Sequence, residues 1–139
     1  VPYSVDGSTW LFNPGSDGWS ESGLAIGELI TEVRISPPAE EARGTYVKVA
    51  ERADGTLQLT FLGATVTRAR IVLGGVAPVP GRATAADDVL AGQRLATETI
   101  SRAAEAATSG AEPLADNGYK IDLIHSVGAA ALRWVGEER

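Results

Sequence analysis

The sequence predicts an α+β domain: an antiparallel sheet of three to four strands with three helices packed on one side. Three observations predict it. Short segments before residue 74 alternate apolar and polar residues with turn residues between them, whereas the segments after residue 84 repeat their apolar residues at helical spacing. No strand–helix–strand alternation of the kind a parallel sheet needs is present. The hand-over lies in residues 69–83, where a strand runs into Gly74-Gly75, then past Pro78 and Pro80 to a helix start.

Four strands are expected. Over residues 28–35, Leu29, Thr31, Val33 and Ile35 share one face, and Pro37-Pro38 end the run. Over 45–52, Val47 and Val49 oppose Tyr46 and Lys48; Asp54-Gly55 then reads as a two-residue hairpin turn. Leu57, Leu59 and Phe61 alternate with Gln58 and Thr60, Gly63-Ala64 turns the chain again, and Thr67, Ala69, Ile71 and Leu73 alternate with Arg68 and Arg70. The pattern is that of a meander with one wet face.

The first helix is expected from Thr84, with Thr84-Ala85-Ala86-Asp87 as a capping-box-like start and Gly92 as its stop. A second runs over 97–109 on Ile100, Ala103, Ala104 and Ala107, with Glu98 and Arg102 paired on the exposed side and Gly110 as cap. The third, over 119–135, carries Leu123, Ile124, Val127, Ala131 and Trp134 along its apolar side.

A chain of 139 residues with 44% hydrophobic and 22% charged residues suits one soluble domain with one core. Its net charge of −6, with the two signs mixed, argues against a nucleic-acid surface. No apolar run is long enough for a membrane span and no leader is evident, so a cytoplasmic location is expected. Cysteine is absent, which removes disulfides, a thiolate nucleophile and thiolate metal sites. The chain begins at Val1, and residues 1–23, rich in glycine and carrying Trp10 and Trp19, read as a linker or the tail of a preceding domain; residues 24–139 form the domain itself.

Few residues invite chemistry. His125 is the single histidine, in mid-helix, and is read as structural. Glu40-Glu41 and Asp87-Asp88 are sequence neighbours that cannot face each other, and are read as solvated surface. Gly74-Gly75-Val76-Ala77-Pro78 lacks phosphate-loop spacing; it reads as a bulge and exit turn, or as a place where a flat ligand approaches the backbone. Lys48 is one of two lysines and lies mid-strand on the face of Tyr46, either as a plain solvated lysine or as a fixed cation beside an anionic or electron-accepting ligand.

Four segments, in order, carry a resemblance: Gly27-Glu28-Leu29-Ile30-Thr31-Glu32-Val33, Thr45-Tyr46-Val47-Lys48-Val49, the run from Ala69 to Pro78, and Pro113-Leu114-Ala115-Asp116-Asn117-Gly118-Tyr119-Lys120. Together they resemble the C-terminal domain of the FAD-binding (medium) subunit of the xanthine dehydrogenase / carbon monoxide dehydrogenase family of molybdenum hydroxylases, in its aldehyde oxidoreductase-like branch. Phe12-Asn13-Pro14-Gly15 is similar to that family's exit from the FAD domain.

The resemblance implies a CO dehydrogenase flavoprotein C-terminal-like fold and an oxidoreductase role in electron transfer: FAD collects electrons from iron–sulfur clusters, and this domain covers one side of the flavin. It implies Ile30 and Thr31 against the ring and Lys48 reaching the cofactor from the next strand. Implied partners are the FAD-binding domain of the same subunit and the iron–sulfur and molybdenum-cofactor subunits. No catalytic residue or metal ligand is assigned. The connection over 52–56 is shorter than the family's flavin-side stretch, and residues 1–23 hold no pyrophosphate-binding motif, so the chain alone is expected to bind FAD weakly or not at all. The competing reading is a non-enzymatic interaction domain that keeps this fold without flavin, docking through the Trp10/Trp19 segment and the sheet face. A third reading is a small enzyme with a pocket between sheet and helices.

Overall fold

The computed structural model describes residues 27, 29, 31, 32, 37–49, 53–77 and 80–137. Among them lie four strands, β1 (Ala42–Val49), β2 (Ala53–Leu62), β3 (Thr65–Gly74) and β4 (Gly81–Arg82), followed by α1 (Thr84–Leu90), α2 (Thr97–Ala106) and α3 (Tyr119–Glu137). The sheet is a fully antiparallel meander in the order β1-β2-β3-β4, with the helices covering one face.

Alternation decides which face is covered. Leu57, Leu59 and Phe61 of β2 and Val66 and Ala69 of β3 point into a core completed by Leu90, Ile100, Ala103, Ala104, Leu132 and Val135. The residues that alternate with them and point to the other side, including Tyr46, Thr56, Gln58 and Arg68, stay exposed. On β3 the expected alternation breaks at one place. The pairing shifts between Thr60 and Phe61, so that Thr60 opposes Arg68 while Phe61 opposes Val66. Thr67 is the extra residue of this β-bulge; it is exposed, with its hydroxyl donating to the Thr60 carbonyl at 3.1 Å. Val66, not Thr67, therefore fills the core.

Two turns differ from expectation. Lys48 pairs with Asp54 and Val49 with Ala53, so Asp54 and Gly55 lie inside β2 and the hairpin closes before them. The bulge expected at Gly74-Gly75 lies instead at Thr60/Phe61: Gly74 ends β3 in regular pairing with Asp54, and Gly75 opens the exit turn. The fourth strand is also not where alternation placed it. Leu29, Thr31 and Glu32, the described members of the 28–35 run, are exposed and belong to no strand; the others, with Trp10 and Trp19, lie outside the described residues. β4, in contrast, lies in the glycine- and proline-rich exit that read as irregular.

Asp87 overturns its reading as solvated surface, and the reason is local. Ala83 is the N-cap of α1, and its carbonyl accepts the amides of Ala86 and Asp87 at 3.1 Å each. A carbonyl turned into the helix cannot continue the ladder, which leaves the Ile71 N–H without its strand partner. The Asp87 carboxylate supplies the missing acceptor, taking the Ile71 N–H at 2.9 Å on one oxygen and the Arg82 Nε–H at 2.8 Å on the other. Asp87 is buried, and Thr84 makes no capping box with it. Asp88 is exposed.

The helices otherwise follow their patterns, with one rotation. α2 buries Ile100, Ala103 and Ala104 and leaves Glu98 and Arg102 outside; its cap is Ala107, and Gly110 closes the turn that follows. On α3 the deepest residues are Ala129, Leu132 and Val135, whereas Trp134 is half exposed. Leu123, Ile124, Val127 and Ala131 are half-buried and line an apolar slot against Ala103, Ala104 and Ala107.

Candidate functional site

That slot is narrow. It encloses about 60 Å³, far below the roughly 300–1,000 Å³ of ligand clefts. Thr45, Thr56 and Asp54 are its only lining side chains with an oxygen. His125, half-buried on α3, does not line it, and among the described residues no three His, Asp or Glu side chains are grouped to hold a metal ion. Asp54 is the one titratable residue that lines it.

Lys48, Tyr46 and Asp54 share the opposite face, which the helices leave open. Registry puts Lys48 of β1, Asp54 of β2 and Gly74 of β3 in one row at the end of the sheet. Lys48 is exposed. Tyr46, one pleat further along the same face, donates its phenol to Asp54 Oδ2 at 3.1 Å across the strand diagonal. Reduced solvation around the Tyr46 ring, reinforced by the hydrogen bond to Asp54 and by its charge, raises the phenol above its ordinary 10.0.

Beside this row lies a shallow depression lined by Gly44, Tyr46, Thr56, Gln58, Arg70 and Val72.

The double glycine has two separate causes. A Cβ on Gly74 would collide with the Asp54 carboxylate, so the missing side chain makes room for Asp54. Gly75 sits at φ +66°, a left-handed conformation that a side chain strains. Its carbonyl accepts a 2.6 Å hydrogen bond from Lys120 Nζ, which reaches over from the first turn of α3.

Of the residues assigned to a cofactor from the sequence, Lys48 stands on the open face among Tyr46, Asp54 and Gly74. Thr31 is exposed, and among the described residues it is joined to none of them by a hydrogen bond or ion pair. Ile30 lies outside the described residues. Sequence reasoning passed over Asp54, by giving it to a turn, and Lys120. The available signal for Lys120 was rarity: the chain has two lysines, and both reach the same end of the sheet.

Comparison with known proteins decides the family. The profile of the CO dehydrogenase flavoprotein C-terminal domain matches residues 46–135. The chain belongs to that family. The aldehyde oxidoreductase FAD-binding subunit PaoB of Escherichia coli is 32% identical over 123 residues, covering 86% of this chain and 36% of the relative. A CO dehydrogenase from Hydrogenophaga pseudoflava, lacking the Mo-pyranopterin moiety of its molybdenum cofactor, superposes with a TM-score of 0.64 at 29% identity, over 70% of this chain and 37% of that one. Reconstituted CO dehydrogenase from Oligotropha carboxidovorans gives 0.76 at 24% identity, over 85% and 45%, a likeness of fold. The chain thus spans about a third of the curated relative's length, and the sheet with helices on one side is this family's domain.

Proposed function

We propose that this chain is the C-terminal part of a flavoprotein subunit that passes electrons from iron–sulfur clusters to FAD in a molybdenum-dependent dehydrogenase, and that it covers one side of the flavin. The observation that carries the reading is the position of Lys48: an exposed cation on the one sheet face that the helices leave open, within the segment matched by the family profile. FAD, when bound, supplies the electron store. The residues fit such a group. Lys48 offers a positive charge that favours the negative charge arriving with electrons, Tyr46 offers an exposed ring edge, and the face around them is open.

The relatives' names give FAD to PaoB's subunit and molybdenum to a CO dehydrogenase, which supports the FAD-binding domain and a molybdenum-cofactor subunit as partners; an iron–sulfur subunit completes the proposed electron path. Ile30 and Thr31 complete the proposed contact from the preceding segment.

The test is flavin retention. The 139-residue chain purified with excess FAD retains no stoichiometric flavin, whereas the chain joined to the FAD-binding part of its subunit does, and Lys48→Met in the joined protein weakens the retention severalfold. Stoichiometric FAD on the chain alone, or unchanged retention in Lys48→Met, would overturn the reading.

A further inference from the structure

Lys120 is 45 residues away in sequence from the carbonyl it holds, and the contact links the last helix to the end of a strand. Among the described residues, Gly75, Val76 and Ala77 make no backbone hydrogen bond outside the sheet, and Gly75 has the left-handed geometry that only the turn requires. The bond joins a cationic donor to a neutral backbone carbonyl at 2.6 Å, a charge-assisted pairing stronger than one between neutral groups. Beyond the tether, each contact leads to the next. Gly75 follows Gly74; Gly74 lies directly beneath the Asp54 carboxylate; Asp54 holds the Tyr46 phenol and is paired opposite Lys48.

We propose that Lys120 is a positioning residue for Lys48: by fixing the Gly75 carbonyl it sets the Gly74 strand end on which the Asp54 carboxylate rests, and so orders the Tyr46–Asp54–Lys48 row on the open face. The flavin part of this inference rests on the function proposed above; the coupling from Lys120 to Tyr46 does not. Lys120 touches neither Lys48 nor the open face itself, and acts through the strand end.

Two measurements separate the claims. The first is the titration of Tyr46 in the full chain, followed by NMR of labelled tyrosine and assigned with Tyr46→Phe. Among the described residues, the charged groups that share the phenol's face near it are Lys48 on its own strand, Asp54 on β2 and Arg70 on β3. Of these, only Asp54 accepts its proton, so a displaced Asp54 lets Tyr46 titrate closer to 10.0. Lys120→Met is expected to produce that downward shift, and Lys120→Arg, which keeps a cationic donor, to restore the wild-type titration. A Lys120→Met chain that melts at lower temperature while Tyr46 titrates as in the wild type would overturn the proposal, since a mere helix-to-sheet tie predicts that result. If Lys120→Met does not fold, Lys120→Gln, whose shorter neutral amide cannot hold the Gly75 carbonyl in the same way, takes its place: a Tyr46 that titrates closer to 10.0 upholds the proposal, and one that titrates as in the wild type overturns it.

The second measurement is FAD retention in the joined subunit. Lys120→Met is expected to weaken it severalfold, in the same direction as Lys48→Met. Weakening by Lys48→Met with none by Lys120→Met overturns the inference. Should Tyr46 shift as expected while neither substitution changes retention, the coupling stands and the proposed flavin contact falls.

Discussion

At the scale of single residues, Asp87 shows how one side chain completes a backbone ladder. Its carboxylate takes the place of a strand carbonyl that the start of α1 has turned away. Asp87→Ala leaves the Ile71 N–H and the Arg82 guanidinium without their acceptor and is expected to destabilise the fold by about 1–3 kcal/mol, readable by denaturant unfolding. The pH dependence has a definite sign. Burial raises the Asp87 carboxyl above its ordinary 3.8, although Arg82 and the Ile71 amide pull it back. The folded chain therefore holds this proton to higher pH than the unfolded chain does. Its contribution is full below the unfolded value and declines as pH rises through the folded value. Measured against Asp87→Asn, whose side chain does not titrate, the stability of the wild type should fall as pH rises from below 3.8 toward neutrality; a flat or rising difference would contradict this assignment.

At the scale of elements, strands and helices were legible because their periods are strong. Leu57, Leu59 and Phe61 announce β2 and its inner face, and Ile100, Ala103 and Ala104 announce the buried side of α2. What stayed illegible depends on partners distant in sequence. Asp54-Gly55 has the composition of a hairpin turn, yet pairing with Lys48 and Gly74 draws both residues into β2. The Thr67 bulge is set by the pairing of β2 with β3, which alternation within one strand cannot reveal. Trp134 is half exposed because Leu132 and Val135 take the deepest places on α3, a choice made by the neighbours and not by hydrophobicity. The contact between strands gives its own test. Gly74→Ala should cost about 1–3 kcal/mol in the wild-type background and clearly less beside Asp54→Gly, because the added methyl then meets no carboxylate. Equal costs in the two backgrounds, measured as a double-mutant cycle, would show that Asp54 does not lie on Gly74.

At the scale of the whole molecule, the sheet divides the domain into a sealed face and an open one. The sealed face is apolar, with a slot too small for a cofactor; the open face carries Lys48, Tyr46 and Asp54. Membership of the CO dehydrogenase flavoprotein C-terminal domain family was legible from short ordered motifs, with Lys48 and Gly74-Gly75 among them. The positioning of Lys48 was not, since it runs through Lys120 and Gly75, which are adjacent only in the folded chain. The most direct measurement is the midpoint potential of the flavin in the joined subunit, with Lys48 intact and as Lys48→Met. A cation held against the ring favours its reduced, more negative form. The expected result is a lower potential in Lys48→Met than in the wild type; an unchanged potential with flavin fully bound would contradict a flavin-facing Lys48.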